Sequence, residues 1–110
     1  MSGFVAVMDI ARTKRPSWLH IIRDCHDLVA LQERQGGVEH FDVKWLRMRT
    51  GRRYPALTPL ERWGVLVKKV WRDPDGHVLP ESGRSFYLMP DRPGVGLALD
   101  ELQIPPAKFL

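Results

Sequence analysis

The chain has 110 residues, of which 44% are hydrophobic and 27% charged, and its net charge is +4. This suits one globular domain able to bury a core, and it excludes a disordered or low-complexity chain. The single cysteine, Cys25, rules out an intrachain disulfide. Together with the lack of a leader it points to the reducing cytoplasm. Met1–Ile10 is apolar but short, with no basic segment before it and no small-residue cleavage pattern after it. No apolar run approaches the roughly 20 residues that cross a bilayer, so no membrane partner is expected.

In chain order, the nearly unbroken apolar run Phe4–Ile10 reads as a short buried strand. Ala11–Pro16 interrupts it. Ser17 then offers an N-cap, and Trp18, Ile21, Ile22, Cys25, Leu28 and Val29 recur at helical spacing. Gly36-Gly37 should end that helix, since glycine accepts the left-handed cap conformation. Leu19 and Leu31 lie off its main face and suit a homodimer or partner contact. A second helix is expected over 38–49, with Val38, Phe41, Trp45 and Met48 on one face and Gly51 as its stop. Glu39 and Asp42 near its start, with Arg47 and Arg49 near its end, complement the helix dipole.

Residues 50–57 read as a basic loop. Thr58-Pro59-Leu60-Glu61 then combines a capping threonine, an early proline and a carboxylate that can reach back, so a third helix starts there. Leu60, Trp63 and Val67 continue its apolar face. Residues 65–71 suit either helix or strand, being rich in β-branched side chains. Asp73-Pro74-Asp75-Gly76 and Pro80-Glu81-Ser82-Gly83 are turns. Strands are expected at 67–72, 77–79 and 84–89, and a last one where Val95, Leu97 and Leu99 alternate. The tail Ile104-Pro105-Pro106 is extended by its prolines. The fold class is therefore α+β: three helices followed by a small antiparallel sheet or hairpin.

Charge is segregated along the chain. Residues 44–72 hold nine basic side chains and one acid, Glu61, a net charge of +8, while the rest of the chain sums to −4. The candidate binding residues are Lys44, Arg47, Arg49, Arg52, Arg53, Arg62, Lys68, Lys69 and Arg72, with Tyr54 interleaved as an aromatic. Cationic side chains neutralise phosphates and release counterions, which gives sequence-independent affinity. The element order over 38–90 resembles a winged helix-turn-helix, and that resemblance implies a DNA-binding regulator with a helix in the major groove and a wing on the backbone. Exposed polar residues early in the expected recognition helix amount to Glu61 and Arg62, so backbone contacts should dominate. The competing reading is an inhibitor or adapter that covers an acidic protein partner. A solvated basic face with no partner is the plain alternative to both.

No catalytic or metal site is expected, and no cofactor. Cys25 and His26 are helix neighbours that point about 100° apart, so they cannot act as nucleophile and base. Cys25 falls on the apolar stripe, where a thiol behaves as a small hydrophobe. His20 and Asp24 share a face but find no further ligands. His40 and His77 are isolated. No phosphate-binding glycine loop occurs. The outside reading is a small basic ribonuclease using Arg84, Tyr87 and His77, since cations can stabilise a phosphorane. Trp18, Trp45 and Trp63 fall on the apolar faces and read as core rather than as base-stacking platforms.

Overall fold

Ser2 opens the first helix: its hydroxyl accepts the Val5 N–H at 3.2 Å, and α1 runs Gly3–Thr13. The chain is described here from a computed structural model, over residues 2–37, 40–70, 74–77 and 85–109. The strand expected at 4–10 is thus corrected to a helix. A nearly all-apolar run fits a buried strand and a buried helix alike, and only its partner decides. Gly3, Ala6, Val7 and Ile10 are buried at helical spacing, while Val5 and Asp9 face solvent. The buried stripe packs mainly against α5 (Arg92–Glu101), which replaces the last expected strand.

In α5 the buried residues are Val95, Gly96, Ala98 and Leu99, whereas Leu97 is 64% exposed. That is a helical stripe, not alternation. Asp91 caps the helix by accepting the Gly94 N–H at 3.2 Å, and its other oxygen accepts the Gly3 N–H at 2.6 Å. One carboxylate therefore joins the starts of α1 and α5. Gly3 is required for this approach, because a Cβ there would lie 2.8 Å from Val95 Cγ2.

The central helix, α2 (Pro16–Arg34), begins two residues earlier than expected, with Arg15 at its N-cap. Pro16 occupies its first turn, where a missing N–H costs nothing, so Ser17 lies inside the helix and is not its cap. The helix ends as anticipated before Gly36, whose φ is +71°, and the Gly37 N–H returns to Gln32 O at 2.8 Å. Leu19 is buried, so it belongs to the core rather than to a partner surface.

The expected helix over 38–49 splits. β1 is His40–Phe41, and Asp42 then caps α3 (Val43–Thr50) by accepting the Trp45 N–H at 2.6 Å. Val38 and Glu39 lie outside the described residues. Leu46 is the buried anchor of α3, and Met48, expected inside, is 72% exposed. Starting the helix after Asp42 rather than at 38 shifts which residues face the core. Gly51 stops α3 as expected, with φ +69° and its N–H on Arg47 O at 2.8 Å.

α4 spans only Thr58–Arg62, and Leu57 rather than Thr58 stands at its cap. Gly64, at φ +80°, turns the chain, and the Val65 and Leu66 N–H groups both close on Leu60 O. Residues 67–70 accordingly leave as strand β2 (Val67–Val70), pairing antiparallel with β3 (Ser85–Leu88). β1 pairs with the other edge of β3, Phe41 opposite Tyr87, so the sheet order is β1-β3-β2. Gly76, at φ +88°, marks the turn expected at 73–76. The expected strand residues Val78 and Leu79, the turn at 80–83 and Trp71 lie outside the described residues.

The fold is α+β, with five helices rather than three and a small antiparallel sheet among the described residues. The helix, helix, hairpin order of the winged resemblance is present in α3, α4, β2 and β3. α4, however, has five residues, about one and a half turns, which is short for a helix that reads a groove. Because Asp91 satisfies two helix starts, Asp91→Ala is expected to lower stability by about 1–2 kcal/mol in urea unfolding. Asp91→Asn should retain part of that loss, and an unchanged midpoint in both variants would show that the joint contributes nothing.

Candidate nucleic-acid interface

α3 presents the first group of cations. Leu46 holds one face of the helix in the core, which leaves Lys44, Arg47 and Arg49 exposed. Arg47 and Arg49 sit in the last turn, where the helix dipole favours positive charge. The Arg49 guanidinium also lies over the Trp45 ring at 5.9 Å. The chain after Gly51 then carries Arg52 and Arg53 outward on an irregular segment.

Three adjoining hollows meet at Arg52. One, about 560 Å³, is bounded by Lys44, Arg47, Met48, Gly51, Arg52 and Arg53. A smaller one, about 160 Å³, lies between Arg49, Thr50, Arg52, Lys108 and Phe109. The third, about 540 Å³, is set between Arg52, Arg53 and Tyr54 on one side and Pro105–Lys108 on the other, above His20 and Ile21 of α2. Among the described residues, no Asp or Glu lines any of the three.

Five of the candidate cations are thus gathered. Lys68 and Lys69 are exposed on the edge strand β2 and border a separate hollow together with Glu61 and Phe86. Lysines suit an unpaired edge, because they discourage a further strand from pairing there. Arg62 is exposed on α4 and lines none of these hollows, and Arg72 lies outside the described residues. Lys108 joins the cluster from the C-terminal segment. Nothing in the sequence near Pro105-Pro106 signals that this lysine comes back beside residues 49–53.

What places these segments is buried polar chemistry on α2. Asp24 is 4% exposed. It accepts the Tyr54 hydroxyl at 2.8 Å, and Arg52 Nη1 stands 3.5 Å away. The Tyr54 and Thr50 hydroxyls are 2.7 Å apart, and the Arg52 N–H donates to Thr50 Oγ1 at 3.2 Å. Tyr54 is therefore a strut and not a free stacking platform. Burial, together with its bond to the Asp24 carboxylate, pushes its hydroxyl well above the ordinary tyrosine range.

Asp27, one turn further along α2, holds the C-terminal segment. Its Oδ2 accepts the Ala107 N–H at 2.7 Å, and its Oδ1 lies 2.7 Å from His26 Nδ1. Burial raises this carboxyl. The bonds from His26 and Ala107 and the nearby Arg23 charge outweigh that, so its pKa is lowered overall. Arg23 in turn donates to Asp100 of α5 at 3.0 Å.

Two of the residues weighed for chemistry in the sequence are buried in the core. Cys25 is fully buried, and burial beside Asp24 pushes its thiol far up, away from the thiolate a nucleophile needs. Tyr87, part of the ribonuclease reading, is buried in the sheet against Phe41, and burial raises its hydroxyl as well. Arg84 of the same reading lies outside the described residues. Among the described residues, no three His, Cys, Asp or Glu side chains gather where they could hold a metal ion, and no helix is long and apolar enough to cross a membrane. Trp18 and Trp63 meet edge-on at 5.3 Å beside the core, as expected of packing residues.

No family model, curated protein or solved structure matches this chain.

Two outcomes test the α2 struts. Tyr54→Phe leaves the buried Asp24 carboxylate short of a donor and should cost about 1–3 kcal/mol in chemical unfolding. An unaltered unfolding midpoint would remove the strut. For Asp27 the folded pKa lies below the unfolded value of about 3.9, so the unfolded chain binds more protons on the acid side. Its contribution is complete above roughly pH 4 and is lost as the pH falls through the folded value. Asp27→Asn should therefore flatten the acid limb of the stability profile, and an acid limb as steep as the parent's would place its origin elsewhere.

Proposed function

We propose that this protein is a regulatory nucleic-acid-binding module that grips the phosphate backbone of DNA with α3 and the segment that follows it. The observation that carries the reading is the gathering of Lys44, Arg47, Arg49, Arg52 and Arg53 around hollows that no acid lines among the described residues. Cations set this way raise the local density of phosphate and are neutralised by it. α4 is too short to offer a row of base-reading side chains, so the contacts supply affinity and little sequence preference. The helix, helix, hairpin order supports the same reading, with Lys68 and Lys69 on the edge strand as outlying backbone contacts.

A second reading is an inhibitor or adapter seated on an acidic protein. It draws on Met48, 72% exposed among the same cations, because an apolar side chain adds nothing to phosphate binding but does suit a protein surface.

Arg52 stands against Asp24, so its removal would disturb the fold, and the informative substitutions lie on α3. Labelled duplex DNA is titrated by fluorescence anisotropy across several salt concentrations, with single-stranded RNA alongside. Binding should weaken steeply with salt. The triple variant Lys44→Gln, Arg47→Gln, Arg49→Gln should reduce the log–log salt slope by about 2 to 3, with little change in melting temperature. Absence of binding to either nucleic acid at low salt would sink this reading in favour of an acidic protein partner.

A further inference from the structure

We infer that the cavity between residues 52–54 and the C-terminal segment 105–108 is a binding site for a small organic phosphate of nucleotide size. At about 540 Å³ it falls in the range of pockets that take such molecules. Its rim is cationic: Arg53 and Lys108 are exposed, Arg52 stands beside them, and no carboxylate lines the cavity among the described residues. Guanidinium and ammonium groups converging from two separate segments suit a multiply charged phosphate. The rest of the lining includes Ile21, Pro105 and Pro106, an apolar wall against which the flat body of a ligand can lie.

The walls are also built to hold still. Neither has regular secondary structure, yet each is tied to a buried carboxylate of α2, Tyr54 to Asp24 and Ala107 to Asp27. Buried carboxylates are costly unless fully bonded, and here their bonds go to the two walls. A cavity pre-formed in this way does not lose affinity to the ordering of loops. The inference shares Arg52 and Arg53 with the nucleic-acid reading, and it is tested apart from that reading through Ile21 and Lys108, which lie outside the α3 triple variant.

Isothermal titration calorimetry of the full chain with adenosine 5′-monophosphate, inorganic phosphate and adenosine tests it. The monophosphate should bind saturably, with phosphate and adenosine each weaker. Arg53→Gln with Lys108→Gln should weaken monophosphate binding by roughly tenfold or more. Ile21→Ala should weaken the monophosphate but not inorganic phosphate, and the α3 triple variant should bind it as the parent does. A single strand with a 5′-phosphate, compared with its 5′-hydroxyl twin, separates the two sources of the group: preference for the phosphorylated end assigns the site to strand ends, and equal binding assigns it to free nucleotides. No saturation up to roughly 10 mM monophosphate, equal affinity for inorganic phosphate, or undiminished binding by the double variant would overturn the proposal.

Discussion

Asp24 and Asp27 lie one turn apart on the central helix, and the two irregular segments that frame the basic surface are hung on them. A carboxylate removed from water must be supplied with donors, and on α2 some of these donors come from distant parts of the chain. Asp24 draws in the Tyr54 hydroxyl and the Arg52 guanidinium, and Asp27 takes the Ala107 N–H. Gln32 extends the pattern by donating to His40 O at 3.1 Å, which fastens β1. Arg23 reaches Asp100, and Glu33 meets Arg92 at 2.8 Å, so both ends of α5 are tied to the same helix. The apolar stripe of α2 supplies the driving force for burial, and its polar positions set where the irregular segments lie.

The same arrangement organises the charge. Segments 49–54 and 107–109 would be free to diverge if they depended on their own local preferences. Fixed to α2, they bring Arg49, Arg52, Arg53 and Lys108 around shared hollows. The Arg52 guanidinium stands over the buried Asp24 carboxylate, which offsets the repulsion of assembling like charges in one place. A basic surface can thus be kept beside the core with no acidic side chain on its rim among the described residues.

How much of this was legible varies by element. The long helix and its glycine stop followed from periodicity and from glycine's tolerance of positive φ, as did the stop at Gly51. The packing of Trp18 and Trp63 against the core, and the burial of Cys25, were readable from the apolar stripes. Phe4–Ile10 and Val95–Leu99 were not. In the first, apolar residues at almost every position fit two periods at once, although Ser2 was present as a cap. In the second, Gly94 and Gly96 depress helix propensity, and the chance alternation of three aliphatic residues imitates a strand. Both are helices because each supplies the surface that the other buries, and no local signal carries that. The phase of α3 differs from the periodic expectation for a smaller reason: Asp42 is the cap rather than a first-turn charge, and a shift of a few residues exchanges Leu46 for Met48 in the core.

By itself the sequence determined the class of the fold, the central helix, several stops, and a basic middle segment flanked by acidic ends, because these depend on composition, spacing and the intrinsic geometry of glycine and proline. Tertiary structure alone decided which cations share a surface. It joined Lys108 to residues 49–53, moved Lys68 and Lys69 to a separate edge, and turned Tyr54 from a candidate stacking ring into a strut. The physical reason is that a buried carboxylate takes its donors from whatever lies near it in space, and that neighbourhood exists only once α2 has been enclosed.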